Sequence, residues 1–176
     1  MKKISLNLVS LLTVLFLTNC AATSPPGWFS NVKCKKDYIC GVGVAEGNRL
    51  QMAIAEAEQN ARLQIGQNIN SNVQGLIRQA SEEINDRSAI NNFQLMAESV
   101  FDIQLKDTKM EKQDIKTKRG GMHTVYVSMS YDESKANDRL LRQIEEDKKL
   151  YDAFRTTQLY DNMQKKVEAY RARNSN

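Results

Sequence analysis

Residues 38–45, Tyr-Ile-Cys-Gly-Val-Gly-Val-Ala, decide the fold, because they predict a β-strand with two unlike faces. Successive side chains of a strand point to opposite faces, so Gly41 and Gly43 share one face while Val42 and Val44 share the other. A strand face made of glycine lets another backbone or a helix approach closely. We therefore expect a neighbouring element to pack directly on that face.

The pattern changes to a helical period from Asn48 to about Arg78, and Asn48 is the predicted N-cap. Small and apolar side chains recur there every three or four residues, at Ile54, Ala57, Ala61, Ile65, Ile69, Val73 and Leu76. This stripe is rich in alanine and poor in aromatic side chains. It therefore predicts a long helix that lies close against a sheet.

The middle of the chain predicts a long hairpin. Residues 82–99 fit either a second helix or a helix with a break near residues 91–92. The alternation of Phe101, Ile103 and Leu105 favours a strand. Residues 119–121, Arg-Gly-Gly, supply a turn, and residues 125–131 alternate clearly enough to predict the second strand of the hairpin.

Residues after Asp132 predict a helix of about 40 residues, which would be roughly 60 Å long if straight. Part of it has heptad spacing, at Ala153, Thr156, Tyr160, Met163, Val167 and Tyr170. A helix longer than its own domain wraps that domain, projects outward or packs against a second copy. The predicted fold class is α+β, with a long helix packed on a small antiparallel sheet and a long C-terminal helix after it.

The N-terminus has the features of an export signal. Lys2 and Lys3 precede a mostly apolar stretch, residues 4–17. As a helix these residues would cover roughly 21 Å, whereas the hydrocarbon core of a bilayer is about 30 Å thick. The stretch is therefore short for a permanent span and suits a signal peptide, although an uncleaved anchor helix stays a possible interpretation.

The signal ends in Leu17-Thr18-Asn19-Cys20, which resembles a bacterial lipobox. The resemblance implies that the Cys20 thiol receives a diacylglyceryl group and that cleavage before Cys20 frees an amine for acylation. Ala21 follows, rather than Asp, which by the sorting rule of enteric bacteria implies the outer membrane. The alternative is an ordinary secretory signal with a chance cysteine near its end.

Cys34 and Cys40 remain as a pair once Cys20 is assigned to lipid. The periplasm and the cell surface are oxidising, so a structural disulfide is the expected state. Free thiols and a redox role are the alternatives, and the redox role lacks a C-x-x-C motif. Two cysteines and one remote histidine do not supply the four ligands that a structural zinc ion requires, so we expect no metal site.

Composition and motifs argue against catalysis and against nucleic-acid binding. The 176 residues carry a formal net charge of +4, and no segment is basic enough to require a nucleic acid. The single histidine is His123, and no metalloprotease, nucleophile-elbow or Walker motif occurs. We predict that the protein is not an enzyme and that it uses no cofactor, no small-molecule substrate and no nucleic acid.

The order of these features resembles a known family. The lipobox is followed by Trp28, by Tyr38-x-x-Gly41-x-Gly43-x-Ala45, by a helix with Ala53, Ala57, Ala61 and Arg62, and by Tyr126-Val127-Ser128-Met129. This order is similar to the bacterial surface lipoprotein family typified by the twenty-kilodalton LPP lipoprotein. The resemblance spans about residues 20–131 and implies outer-membrane attachment through palmitate-type lipid, with no known catalysis.

The signal, the resemblance and the C-terminal region that lies outside it divide the chain into four parts. They are a lipoprotein signal peptide (1–19), a lipidated tether (20–27), an LPP-type lipoprotein domain (28–132) and a C-terminal helical extension (133–176). The FlgP-like flagellar branch of the family is similar in size and self-assembles around the motor. It implies a structural or assembly role in the cell envelope, in a homo-oligomer or with envelope or flagellar proteins.

A periplasmic binding module for peptidoglycan or for an envelope enzyme is the alternative function. The hairpin suggests it through the basic residues Lys106, Lys109, Lys112, Lys116, Lys118 and Arg119. Lysine also protects edge strands from pairing, so a solvated edge would account for the same residues. Trp28 and Phe29 leave a similar choice, since they could rest in the lipid interface or cover the domain core.

Overall fold

The computed structural model describes residues 24–102 and 107–174. In chain order its elements are β1 (Tyr38–Gly47), α1 (Leu50–Glu83), α2 (Arg87–Asp102), β2 (Lys109–Thr117), β3 (His123–Asp132), α3 (Glu133–Glu146), α4 (Lys148–Phe154) and α5 (Gln158–Asn174). The strands form an antiparallel sheet in the order β1-β3-β2. The predicted α+β class, with a long helix on a small antiparallel sheet and a helical C-terminal region, is confirmed.

Strand β3 lies at the centre of the sheet, and Val127 pairs with Gly43 on one side and Gln113 on the other. A bulge separates Met110 from Lys112 in β2. The side chains at positions 125, 127, 129 and 131 of β3 belong to the hydrophobic core, and we call this side of the sheet the core face. The opposite side, which carries Tyr126, is the outer face.

Helix α1 packs directly on the glycine face of β1, as the sequence predicts. A methyl group added to Gly43 would overlap the carbonyl oxygen of Ala57 and lie 2.7 Å from the backbone nitrogen of Ala61. A methyl group added to Gly41 would overlap the carbonyl oxygen of Ala61, one turn further along α1, and would lie 2.8 Å from Cγ1 of Ile65. The absence of a Cβ at these two positions brings the helix down to the strand backbone.

The start of α1 differs from the prediction by one residue. Arg49, not Asn48, is the N-cap, and its side chain makes no capping hydrogen bond. The buried stripe is shifted at its ends, because Ile54 and Leu76 are only partly buried. The fully buried residues of the helix are Ala53, Ala57, Ala61, Ile65, Ile69, Val73 and Ala80.

The first strand of the hairpin lies later than predicted. Phe101 belongs to α2, where Phe93, Ala97 and Val100 complete a buried face with helical spacing, while Ile103 and Leu105 lie outside the described residues. The strand is β2 instead. It was missed because an edge strand with charged, exposed side chains lacks the apolar alternation of a half-buried strand.

Of the two interpretations of residues 82–99, the second helix is the one that the structure shows, since α2 runs through residues 91–92 without a break and the gap after α1 falls at residues 84–86. Asp86 explains the new start, because its Oδ1 accepts hydrogen bonds from the backbone N–H of Ser88 (2.8 Å) and of Ala89 (3.2 Å). These two bonds lower the pKa of the Asp86 carboxyl, since they stabilise its charged form. The turn chemistry of Asp86 therefore decides where α2 begins.

The expectation of one helix of about 40 residues after Asp132 is wrong. The region divides into α3, α4 and α5. Asp147 ends α3 and caps α4 by accepting from the N–H of Lys149 and Leu150. Thr157 caps α5, since its Oγ1 accepts from the N–H of Tyr160 at 3.1 Å. Capping side chains within a helical pattern can thus divide one helix into three.

The C-terminal helices lie back on their own domain. Tyr160, Met163 and Val167, which belong to the heptad-like series, are buried in the same core cluster as α1 and the sheet. Polar contacts hold α5 in place: Arg171 pairs with Asp138 at 2.8 Å, and Arg173 pairs with Asp37 at 3.1 Å. Of the arrangements open to this region, the chain adopts the one that wraps its own domain.

Candidate functional site

The two cysteines predicted to pair are joined in the structure. Cys34 and Cys40 form a disulfide with their Cα atoms 5.8 Å apart, and Cys40 belongs to β1. Closing a loop of this size contributes roughly 2 kcal/mol in the chain-entropy treatment. The link holds the segment before β1 at the end of the sheet. Cys20, the predicted lipid-attachment residue, lies outside the described residues.

Residues 24–33 lie on the outer face of the sheet, on the side away from α1. The Phe29 ring contacts the Tyr126 ring edge-to-face with centroids 5.0 Å apart, and Trp28 contacts Phe29 at 5.9 Å. A turn orients both rings, because the Phe29 N–H donates to the Pro26 carbonyl at 2.9 Å. Neither aromatic residue joins the hydrophobic core, so they cover the outer face of β3.

The outer face of β3 carries several buried hydroxyl groups. Thr124, Ser128 and Ser130 are all buried. The Ser130 hydroxyl donates to Glu111 at 2.6 Å, and the Thr124 hydroxyl donates to Glu46 at 2.8 Å. Alternating hydroxyls on a central strand are normal for a face that is covered by polar elements rather than by a hydrophobic layer.

Glu46 connects the two edges of the sheet. Its Oε1 accepts from Lys118 Nζ at 2.8 Å as well as from Thr124. The hydrogen bond from Lys118 lowers the pKa of Glu46 most, and the bond from Thr124 adds to the effect. Glu46 belongs to β1, Thr124 to β3, and Lys118 follows β2, so one carboxylate joins all three strands.

Two lysine ammonium groups lie over aromatic rings on this face. Lys112 Nζ lies 5.9 Å from the Trp28 ring centroid, and Lys116 Nζ lies 5.8 Å from that of Tyr126. These distances are within the range of cation–π attraction. Lys116 also donates to the backbone carbonyl of Ser24. We call the surface formed by Trp28, Lys33, Lys35, Lys112 and Lys116 the N-terminal face.

A cleft of about 310 Å³ opens in the N-terminal face between the 28–35 segment and β2. Trp28 and Tyr38 form part of its wall, and the hydroxyls of Ser128 and Ser130 line it too. Lys33, Lys35 and Lys112 stand at the cleft with one acid, Glu111. The combination of cations and aromatic edges suits an anionic polar group next to an apolar one.

A larger groove, of about 440 Å³, lies between α1 and α2 and is lined in part by Leu95, Ser99 and Phe101. Leu95 is 67% exposed there. Phe101 is close in sequence to residues 103–106, which lie outside the described part of the chain. The groove therefore carries no functional argument.

Two tyrosines outside the N-terminal face have raised pKa values. Burial raises the pKa of Tyr131, whose hydroxyl has no hydrogen-bond partner among the described residues. Burial and the hydrogen bond to Glu145 raise the pKa of Tyr160 to about 12. Both are buried residues rather than members of an open cleft, so we assign them to the packing of the domain.

His123 lies at the turn end of the hairpin, where its Nδ1 is 3.0 Å from Thr117 Oγ1. Within residues 24–102 and 107–174, no three His, Cys, Asp or Glu side chains gather in a way that could hold a metal ion. In the same residues no helix combines the length and the apolar character needed to cross a bilayer.

The basic residues of the hairpin were visible in the sequence, but their arrangement was not. Lys112 and Lys116 lie in register with Ser128 and Thr124, which places them on the outer face. Lys106 lies outside the described residues. The covering of this face by residues 24–33 depends on a contact between distant parts of the chain, which no local pattern reports.

Comparison with known proteins adds no relative to this description. Searches against protein-family models, curated proteins and solved structures returned no match for the chain.

Proposed function

We propose that this protein is a lipid-anchored component of the bacterial outer membrane with a structural or assembly role in the cell envelope. The lipobox resemblance of residues 17–20 supports the proposal most directly, and the structure adds a limit on the length of the tether. Ser24, only four residues after the lipobox cysteine, is already bonded to Lys116 of the folded domain. Four residues of extended chain reach at most about 14 Å. A lipid on Cys20 would therefore hold the domain close to the bilayer.

The anchor chemistry follows from the lipobox resemblance. The Cys20 thiol takes up a diacylglyceryl group, cleavage between Asn19 and Cys20 frees the amine, and the amine is acylated. Each buried methylene contributes about 0.8 kcal/mol to membrane attachment, and two or more chains give stable anchoring. Three acyl chains would make the attachment effectively permanent.

The basis for assembly changes with the fold. Packing against a second copy is one arrangement that the heptad-like stripe of the C-terminal region predicts, but Tyr160, Met163 and Val167 of that stripe are buried in the chain's own core. The assembly part of the proposal now depends on the family resemblance and on the anchor. A flagellar association remains a prediction of the resemblance alone.

A binding role is the second candidate, and the basic residues of β2 favour it. The cleft beside Lys112 presents the exposed cations Lys33, Lys35 and Lys112 to solvent. Peptidoglycan is an anionic polymer that such a surface could contact. A pull-down with isolated sacculi tests this role, and binding that survives charge reversal at Lys116, Lys118 and Arg119 would count against it.

Mass spectrometry of the native protein tests the anchor. We expect an N-terminal peptide that begins at Cys20 and carries the mass of a diacylglyceryl group and an amide-linked acyl chain. The Cys20→Ser variant should lose this mass and should not be processed at the same bond. An intact Met1, or an unmodified thiol at position 20, would overturn the proposal. In-cell crosslinking of the native protein then tests assembly, and a monomer band alone would contradict it.

A further inference from the structure

The two sides of the sheet differ in charge. On the core side, residues 50–102 contain three basic and seven acidic residues, and residues 133–174 contain ten basic and eight acidic residues. On the other side, residues 109–119 contain five basic and two acidic residues, and residues 33–36 add three lysines. The domain is therefore polarised, with its positive side at the N-terminal face. A charge distribution of this kind orients a protein on an anionic surface.

The acidic groups on the positive side are mostly engaged within the protein. Glu111 accepts from the Ser130 hydroxyl, and Glu46 pairs with Lys118. Asp37 pairs with Arg173 of α5, and Asp114 is half-buried in β2. Lys33, Lys35 and Lys112 are exposed, as are Glu46 and Glu111, but the basic residues of this side outnumber its acidic residues by eight to four. The charge that the N-terminal face presents to solvent is therefore positive.

We propose that the N-terminal face lies on an anionic phospholipid surface, with Trp28 at headgroup level and Lys33, Lys35 and Lys112 among the lipid phosphates. This inference rests on the proposed function, because the lipid on Cys20 would bring this side of the domain to the bilayer. Tryptophan is favoured at membrane interfaces because its ring is apolar and its N–H is polar. Basic residues close to an anionic leaflet are attracted to it strongly, and the attraction falls off within a Debye length.

The anchor and the N-terminal face support each other geometrically. The chain enters the domain at Ser24, which contacts Lys116, and Trp28 follows four residues later. A site on the helix side of the sheet would be held away from the same leaflet. Tethering also raises the local concentration of the face at the membrane, so weak individual contacts suffice.

The test uses the mature chain from residue 20 with Cys20→Ser, so that binding reports the face and not the lipid. The hydrophobic core begins at Ile39, so this chain keeps every core residue. The probes are vesicles of phosphatidylcholine with phosphatidylglycerol and vesicles of phosphatidylcholine alone. Trp28 is the only tryptophan, so its emission and its quenching by brominated lipid report the face directly. We expect a blue shift, quenching and co-sedimentation with the anionic vesicles only, all reversed by high salt.

A matched pair of charge-reversal variants separates this face from net charge. One carries Lys33→Glu, Lys35→Glu and Lys112→Glu, and the other carries Arg78→Glu, Arg87→Glu and Lys148→Glu, all at exposed positions. Each lysine near an anionic surface strengthens partitioning by roughly fivefold, so the first variant should bind at least roughly a hundredfold more weakly. The second variant changes net charge equally and should retain binding within roughly tenfold of the parent chain.

Three results would overturn the inference: equal binding to both kinds of vesicle, equal loss in both variants, or binding to isolated sacculi without binding to vesicles. The last result would favour the glycan polymer as the ligand. Circular dichroism of each variant checks that the fold is retained. Because the tested chain has no lipid, failure here leaves the anchor proposal standing, and failure of the mass-spectrometry test leaves the vesicle result standing.

Discussion

The two edges of the sheet are protected in different ways. At the β1 edge, the Val42 N–H donates to Gln64 Oε1 at 2.6 Å, and the Val44 carbonyl accepts from Asn60 Nδ2 at 3.0 Å. Both partners are side chains of α1. At the other edge, β2 pairs only with β3 among the described residues. Most of its side chains are charged or polar, and its two apolar side chains, Met110 and Ile115, are exposed. One edge is covered by a helix, while the other is protected by charge.

The size of the side chains on each strand explains the difference. Gly41 and Gly43 let α1 sit on β1 itself, close enough for its amide side chains to reach the strand's free backbone groups. Placed there, the helix leaves Ile115, on the core-face side of β2, 41% exposed. Charged side chains then discourage pairing with another chain, as is common for free edge strands. The position of one helix therefore determines the chemistry of both edges.

The largest effect is expected from Gly43→Ala. The added methyl group would overlap the Ala57 carbonyl, which is backbone and cannot move aside without shifting α1. We expect a loss of about 3 kcal/mol or more in the free energy of unfolding, measured by urea denaturation. Gly75→Ala is the matched control, because a methyl group at that position of α1 meets nothing within 4 Å.

The control should gain about 1 kcal/mol, since alanine favours a helix interior over glycine. If Gly43→Ala lowered the free energy of unfolding by less than Gly75→Ala raises it, close contact with β1 would not determine the position of α1. A correlated exposure of the β1 amides to hydrogen exchange would show that the helix has lifted from this edge.

A smaller effect is expected when the β1 edge loses its cover. Gln64→Ala removes the acceptor of the Val42 N–H and should cost about 1 kcal/mol by urea denaturation. Gln67→Ala makes the same change on the exposed side of the same helix and should stay within about 0.5 kcal/mol of the parent chain. Equal free energies of unfolding for the two variants would show that water can accept the hydrogen bond of the Val42 N–H in place of Gln64 without a loss of stability.

Much of this arrangement could be predicted from sequence, because it depends on local periodicity. The alternation in β1 and in residues 125–131, the small-residue stripe of α1 and the turn at Gly120 and Gly121 all carry their signal within a few residues. Both turn glycines have positive φ, which favours glycine. The glycine face of β1 even predicted close contact before the partner was known.

The features that escaped prediction depend on distant contacts or on capping. Strand β2 has no apolar alternation because neither of its faces is fully covered, so its existence depends on pairing with β3. The three-way division of the C-terminal region depends on Asp147 and Thr157, single polar residues within a helical pattern. The N-terminal face needed both residues 24–33 and β2, which lie on opposite sides of α1 and α2 in the sequence.

The smallest effect concerns the carboxylate that joins the two edges. Glu46 extends from β1 toward Thr124 and Lys118, and the bonds to both lower its pKa below the ordinary value of 4.5. A lowered folded-state pKa gives stability that is present above the unfolded pKa and is lost as pH falls through the folded one. The parent chain should therefore lose this contribution as pH drops below about 4.5.

Glu46→Gln should remove that pH-dependent contribution, so its free energy of unfolding should fall less steeply below pH 4.5 than that of the parent chain. Lys118→Met should flatten the same region, because the hydrogen bond from Lys118 contributes most to the shift. Urea titrations at a series of pH values measure both slopes. If the free energy of unfolding of Glu46→Gln falls as steeply with pH as that of the parent chain, solvent screens the interaction of Glu46 with Lys118. The two edges would then be stabilised independently of each other.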